Sequence, residues 1–387
     1  VLPFVNMSGD PEQEYFSDGI SEEIITALSK TPELFVIARN SSFTYKGKPV
    51  KVQKVGRELG VKYVLEGSVR KAEDKVRVTA QLVDAATGKH LWAERYDRDL
   101  KDIFALQDEI TMKIITELQV KLTAGERTRL WSRGTDNLDA YLKLLQGTMH
   151  FNELNKEGNA KARNLFEEAI ALDPHYPEAY TWLGWTHYTD LWLKSTRSPR
   201  ESIRQAFELA QKSIDLDDSC QPAHGLLSWL FLIIRQHEKA IEEGEKAIAL
   251  DPNSADAYGW LGQVLVFSGK PKEAALSLEK AIRLNPIAPS WYLYMLGMAY
   301  RETGRYEEAI TTCKKAIKRQ PNSIIAHLVL VATYSMLGQE DEARAAAGEV
   351  LRIDPKFSVK NLEKTRPHID PANTARFADA LRKAGLK

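Results

Sequence analysis

Cysteine is nearly absent. There are two in 387 residues, Cys220 and Cys313, far apart and outside any CxxC spacing. That indicates neither a disulfide framework nor a thiolate zinc site, and it leaves the compartment open, because large periplasmic proteins also manage without disulfides. An excess of one charge is also lacking: 53 basic residues balance 53 acidic ones, so neither a nucleic-acid footprint nor an acidic tail stands out. Long hydrophobic runs are missing. The best candidates, around Leu226 to Ile234 and Ile324 to Val331, fall short of the roughly 18 to 20 apolar residues that span a bilayer and suit buried helix faces. The chain opens at Val1 inside a strand-like apolar run, VLPFV. It therefore reads as a fragment, and the absence of a targeting segment says little about localisation.

Catalytic signatures are missing too. Asp18–Gly19 in YFSDGISEEI could be an acid beside a flexible glycine. The better reading is that Ser17 or Asp18 supports helix geometry and Gly19 permits a close helix–sheet contact. Glu22 and Glu23 point about 100° apart around a helix, so they do not make a carboxylate pair. MSGDPEQ (7–13) lacks the GxxxxGK[ST] lysine that reads phosphates, and Asp-Pro there fits a turn. None of the eight histidines has HExxH or another tight ligand spacing. His224 and His327 recur at one packing position. KGKPVKVQKVGR (46–57) is basic, but acidic residues surround it, and a solvated loop and helix face is the better reading. No catalytic, metal or cofactor residue is expected.

What is present is a spacing. Proline recurs at 252, 286, 321 and 355, at intervals of 34, 35 and 34, after AIALDP, AIRLNP, AIKRQP and VLRIDP. One such unit is a helix-turn-helix that cannot bury its apolar face alone and so stacks on its neighbours. Leu261–Gly262, Ala274 and Ala281 recur as Leu296–Gly297, Ala309 and Ala316. Small residues fall where helices approach, and proline falls after the second helix, where its missing N–H breaks no ladder. The pattern resembles the tetratricopeptide repeat (TPR). Earlier repeats end at Pro174 and at Asp218, an interval of 44, which places an insertion of about ten residues around 191–200. Six repeats are expected over 139–355, with polar-faced capping helices over 356–387.

In that family four positions of each first helix line a concave groove. Carried over, they are Thr181, Trp185, Tyr188, Trp229, Leu232, Gln263, Val266, Trp291, Tyr294, Met298, Arg301 and Leu328, with Ala332 and Ser335 in the last repeat. Tyr and Trp give large contact area for little entropy, so the resemblance implies a protein or peptide ligand. The lysine and asparagine pattern of a terminal-carboxylate clamp is not seen at these positions.

Residues 1–125 follow another pattern: a strand (VLPFVNM), a helix over 14–30, a short strand Leu34–Ala38, a helix Val52–Leu59, a three-strand meander, and an amphipathic helix over Ile103–Leu122. An α/β domain with a mixed sheet and packed helices is expected, joined by a linker or helix extension (126–138) to the all-α array. The phrases VLPFVNMSGDPEQEYFSDGISEEIITALSK, GRELGVKYVLEGSVRK and LVDAATGKHLWAERYDRDLKDIFALQDEI are similar to the TolB-type amino-terminal domain. Such domains precede TPR arrays in bacterial signalling proteins of the class III adenylate or guanylate cyclase type. The resemblance implies a non-catalytic, peptide-binding regulatory piece of such a protein, on the periplasmic or cytoplasmic side of a membrane. The alternatives are a stand-alone scaffold or periplasmic assembly protein and, less favoured, cyclase activity in this chain. No nucleic acid is expected, a membrane only through an upstream segment, and self-association is left open.

Overall fold

The computed structural model describes residues 1–120, 122, 134–196 and 198–387. It forms two compact units. The first is Val1–Leu227 with Lys246–Ser254 and Leu284–Pro286; the second is Ser228–Glu245, Ala255–Arg283 and Ile287–Lys387. The expected boundary at 125/126, and most of the expected linker (126–133), lie outside the described residues.

The first unit begins with a four-stranded sheet in the order β1 (Val5–Asn6), β2 (Tyr63–Ala72), β3 (Lys75–Asp84), β4 (His90–Asp99). β1 runs parallel to β2, and the other pairs are antiparallel. Alternation sets the faces: Val76, Val78, Ala80 and Leu82 of β3 are all buried. They share a core with Phe16, Ile20 and Ile24 of α1 (Glu14–Ser29) and Ile103, Leu106, Ile110 and Ile114 of α4 (Ile103–Glu117). Each such side chain contributes roughly 2 kcal/mol on burial. Between them come α2 (Arg39–Ser42) and α3 (Val52–Leu59). Val55 and Leu59 of α3 join Ile37, Val64 and Ala85 in a smaller core.

Two expected elements differ. Leu34–Ala38 is not a strand. Its Val36 and Ile37 side chains are buried, as an apolar run should be, but the Ala38 N–H donates to Leu284 O at 2.9 Å instead of to the sheet. The helix expected to reach Leu122 stops at Glu117. Gln119 sits at φ 55°, and the Val120 N–H closes the end on Ile115 O at 3.1 Å. A left-handed residue with such a bond is a helix stop that an apolar period does not reveal.

Helix pairs follow: α5 (Leu138–Phe151) with α6 (Lys156–Leu172), α7 (Pro177–Trp192) with α8 (Pro199–Leu216), and α9 (Gln221–Ile233) with α10 (His237–Leu250). Then come α11 (Ala255–Phe267) with α12 (Pro271–Leu284), α13 (Ser290–Glu302) with α14 (Tyr306–Arg319), and α15 (Ile324–Leu337) with α16 (Glu340–Ile353). α17 (Val359–Thr365) and α18 (Pro371–Lys383) end the chain's helices. Asn137 and Asn155 cap α5 and α6 through their side-chain oxygens. Glycine lets paired helices touch: a Cβ on Gly297 would fall 2.4 Å from Cys313 Sγ. The extra length near 191–200 is not only a loop. Against the α11/α12 pair, α7 is 16 residues instead of 13 and α8 is 18 instead of 14.

First and second helices bury differently. In α14 only Ala309, Ile310, Thr312, Cys313 and Ala316 are buried, a single stripe. In α15 every residue from Ala326 to Tyr334 is buried. A helix apolar all round needs cover on every side.

Candidate binding faces on the repeat helices

In the first unit the candidates lie on α7. Thr181 is fully buried, and its Oγ1 donates to Ser213 Oγ at 2.9 Å, so it ties α7 to α8. Trp185 and Tyr188 are half-buried and meet edge to face, with centroids 5.7 Å apart. Beside them Asp190 accepts from Arg163 at 2.6 Å and from Asn159 at 2.8 Å. Burial works against the Asp190 carboxylate, but these hydrogen bonds hold it below its usual range. Burial, helped by Arg163, pushes the neighbouring His187 down to about 4, so it is neutral at neutral pH.

Asp18 lies in a cleft of about 140 Å³ with Tyr15, Glu22, Arg39 and Leu145. Its Oδ2 accepts from Lys46 at 2.6 Å, and Arg39 donates to Glu22 at 2.8 Å. Burial raises Asp18 while Lys46 opposes. Lys46 also lies 3.0 Å from Glu14, so the carboxylates here are paired with cations, the arrangement of a structural ion cluster. Gly19 does permit a close approach, but to a helix: its Cβ would fall 2.4 Å from Leu145 of α5. His224 and His327 are buried, each with Nε2 at hydrogen-bond distance from a turn carbonyl, Asp218 O (2.9 Å) and Pro321 O (3.1 Å). Burial pushes both cysteine thiols up to about 12. Among the described residues no group of three His, Cys, Asp or Glu could hold a metal ion.

The first unit also shows what the turns between repeats do. Asp251 and Asn285 occupy the same turn position, 34 residues apart. Ser29, at the end of α1, places its Oγ 2.8 Å from Asp251 Oδ2 and 2.8 Å from Thr26 O. Asn253 Nδ2 donates to Ser29 O and Thr31 O, both at 3.1 Å. Ser41 Oγ donates to Asn285 Oδ1 at 2.5 Å. Burial pushes the Asp251 carboxyl up to about 6. A protonated Asp251 would donate to Ser29, whose own proton goes to Thr26 O.

In the second unit Trp229, Gln263, Trp291 and Tyr294 are half-buried. Leu232, Val266, Met298, Leu328 and Ala332 are buried, and Arg301 is only 6% exposed. Part of the reason is the chain's own end. α18 packs on α15, burying Phe377, Ala378, Ala380 and Leu381, and Ser335 Oγ donates to Ala380 O at 3.0 Å. The segment before α18 reaches further back. Ile369 N–H donates to Phe267 O at 2.9 Å, and Arg235 Nη2 donates to Arg366 O at 3.0 Å. His368 lies edge-on to Phe267, with centroids 4.8 Å apart. The guanidinium carbons of Arg301 and Arg366 lie 4.6 and 4.0 Å from the centroid of the same ring, Phe377. Ser335, Arg301, Phe267 and Arg235 stand at or just past the ends of four successive first helices, so this segment does more than cap the last repeat. The signal was legible in RFADALRKAGL: Phe377, Ala380, Leu381 and Ala384 follow helical spacing.

Residues 260–324, 300–364 and 244–275 match tetratricopeptide-repeat family models. A curated relative, "Putative adenylate cyclase 3" of Rhizobium meliloti (strain 1021), is 48% identical over 240 residues, 62% of this chain. The match spans 41% of that relative's length. Among solved structures, the APC/C hetero-tetramer Cut9-Hcn1 is 17% identical and aligns with TM-score 0.50 over 74% of this chain and 54% of its own. Pseudomonas aeruginosa pilF is 17% identical, with TM-score 0.44 over 57% of this chain and 93% of its own. Tetratricopeptide repeats thus lie over residues 244–364, within a longer run of helix pairs that follows a small four-stranded mixed sheet.

Proposed function

We propose that this chain is a non-catalytic, protein- or peptide-binding regulatory segment of a bacterial signalling protein, with a TolB-like module (1–125) leading into the repeats (139–355). The observation that carries the reading is the repeat array itself. Stacked helix pairs of this kind serve as protein-binding scaffolds, and here their first helices carry half-buried aromatics: Trp185 and Tyr188 in the first unit, Trp229, Trp291 and Tyr294 in the second. Half-buried Trp and Tyr are the side chains that dominate binding hot spots. The likeness to a protein named as an adenylate cyclase favours the signalling context. The match spans less than half of that relative, so its activity is not carried over.

The test has two arms. Purified residues 1–387, given ATP or GTP with Mg²⁺ or Mn²⁺, should form no cyclic nucleotide above a protein-free blank, and turnover would overturn the non-catalytic reading. On a random peptide array, the folded chain should retain a defined set of peptides. Trp185→Ala and Trp229→Ala should each weaken that binding by about tenfold or more while leaving the helical circular dichroism unchanged. Equal retention by wild type and variants would remove the aromatic face from the proposal.

A further inference from the structure

The seat of the carboxy-terminal segment fits in shape but not in charge. Phe377 and Leu381 are 1% and 0% exposed, an aromatic and a leucine four residues apart on one helix face. This is the stripe by which an amphipathic helix docks in a groove. The polar groups around it are mismatched. Arg301 and Arg366 are 6% and 7% exposed and face the same ring, and Arg235 bonds the adjoining backbone. Glu302, 3.0 Å from Arg301, is their acidic partner here. Arg301 Nε, His368 Nδ1 and His237 Nε2 are buried without a hydrogen-bond partner among the described residues. Two of these are N–H donors: Arg301 Nε always, and His368 Nδ1 when Nε2 accepts from Arg366 Nη1 at 3.5 Å. Buried cations without matching anions are costly. The protonation behaviour agrees. Burial, then Arg301, pushes Arg366 down to about 9. Burial, then Arg366 and Arg301, pushes His368 down to about 3.

We propose that the first-helix ends marked by Arg235, Phe267, Arg301 and Ser335 are a docking face for an acidic segment that runs into an amphipathic helix, and that residues 366–381 fill this face until such a partner displaces them. A carboxylate where Arg366 now lies would pair with Arg301 and meet the open donors, while an aromatic and a leucine four residues apart would replace Phe377 and Leu381. The inference rests on the protein-binding reading above for the existence of a partner. Its probes are synthetic versions of the chain's own segment, so its failure leaves that reading standing.

Two fluorescein-labelled peptides are titrated into the full chain and followed by anisotropy. One covers residues 366–386 and the other carries Arg366→Glu. In a Phe377→Ala full chain, whose own segment is loosened, the Arg366→Glu peptide should bind at least about tenfold tighter than the parent. Arg301→Gln in that background should erase the preference, and wild type should bind both peptides more weakly. Equal affinities, or no binding by a Phe377→Ala chain of wild-type helicity, would overturn the proposal. Should Phe377→Ala not hold its fold, hydrogen exchange on the wild-type chain decides. Saturating Arg366→Glu peptide should speed exchange over residues 366–381, and unchanged exchange there would overturn the proposal.

Discussion

Two polar seams in this protein solve the same problem in opposite ways. In the first unit, Ser29, Thr31 and Ser41 lie against the turns at Asp251, Asn253 and Asn285 through hydrogen bonds that involve no cation, with Thr31 Oγ1 and Asn285 Nδ2 buried without a partner among the described residues. In the second unit, Arg366 and His368 lie against Arg301, Arg235 and His237, with Glu302 as the acid and buried donors left open. A buried polar network is the more firmly fixed the more of its groups find partners. Cationic crowding in a buried seat weakens what shape complementarity provides. One seam therefore has the chemistry of a permanent joint and the other that of an exchangeable one.

The comparison breaks first at Asn253. Asn253→Ala removes both donors to the Ser29 and Thr31 carbonyls at a 5% exposed site. The expected loss is about 2–3 kcal/mol in the unfolding of the first unit, read by denaturant titration; a change within about 0.5 kcal/mol, the range of ordinary surface substitutions, would show that the seam is not a joint.

Asp251 sharpens it next, with a sign set by pH. Its folded-state pKa is raised from 3.8 to about 6. The folded protein therefore holds the proton longer than the unfolded chain, and stability falls as pH climbs through that window. Asp251→Asn keeps the neutral shape: its amide can donate to Ser29 Oγ, which donates on to Thr26 O. The variant should match wild type below pH 4, gain on it up to about pH 6, and stay ahead above that by at most about 3 kcal/mol. Thermal melts at pH 4, 5, 6 and 8 give the profile, and a pH-independent difference would contradict it.

The smallest effect is expected in the cationic seat. Arg366→Met removes a buried charge but keeps a long side chain over Phe377. Stability should change by less than about 1 kcal/mol, or rise, whereas a well-paired buried arginine would cost about 3–5 kcal/mol. Midpoints in urea distinguish the two.

The legibility of this molecule followed the range of its interactions. The meander strands and the helix pairs rest on local periods of 2.0 and 3.6 that stand in the residues themselves, whereas the parallel pairing of β1 with β2, Val5 beside Ser68, does not. Leu34–Ala38 was misread because its burial is visible in sequence while its hydrogen-bond partner, Leu284, is about 250 residues away. The repeat frame picked out Trp185, Tyr188, Trp229 and Tyr294, which are half-buried. It could not show that Leu232, Val266, Met298 and Leu328 would be buried. Nothing in a repeat period reveals where the segment beyond the last repeat will lie.

The serine and asparagine contacts across the turns also bear on the order in which the chain can fold. Ser29 waits for Asp251 and Ser41 for Asn285, separations of 222 and 244 residues. During synthesis at about 5–20 residues per second, the sheet module is made some ten seconds or more before the turns that hold it. Until then the Ala38 N–H has no Leu284 carbonyl to bond. A fragment ending near residue 120 would keep that deficit permanently, so the shortest stretch able to complete the first unit runs through Pro286.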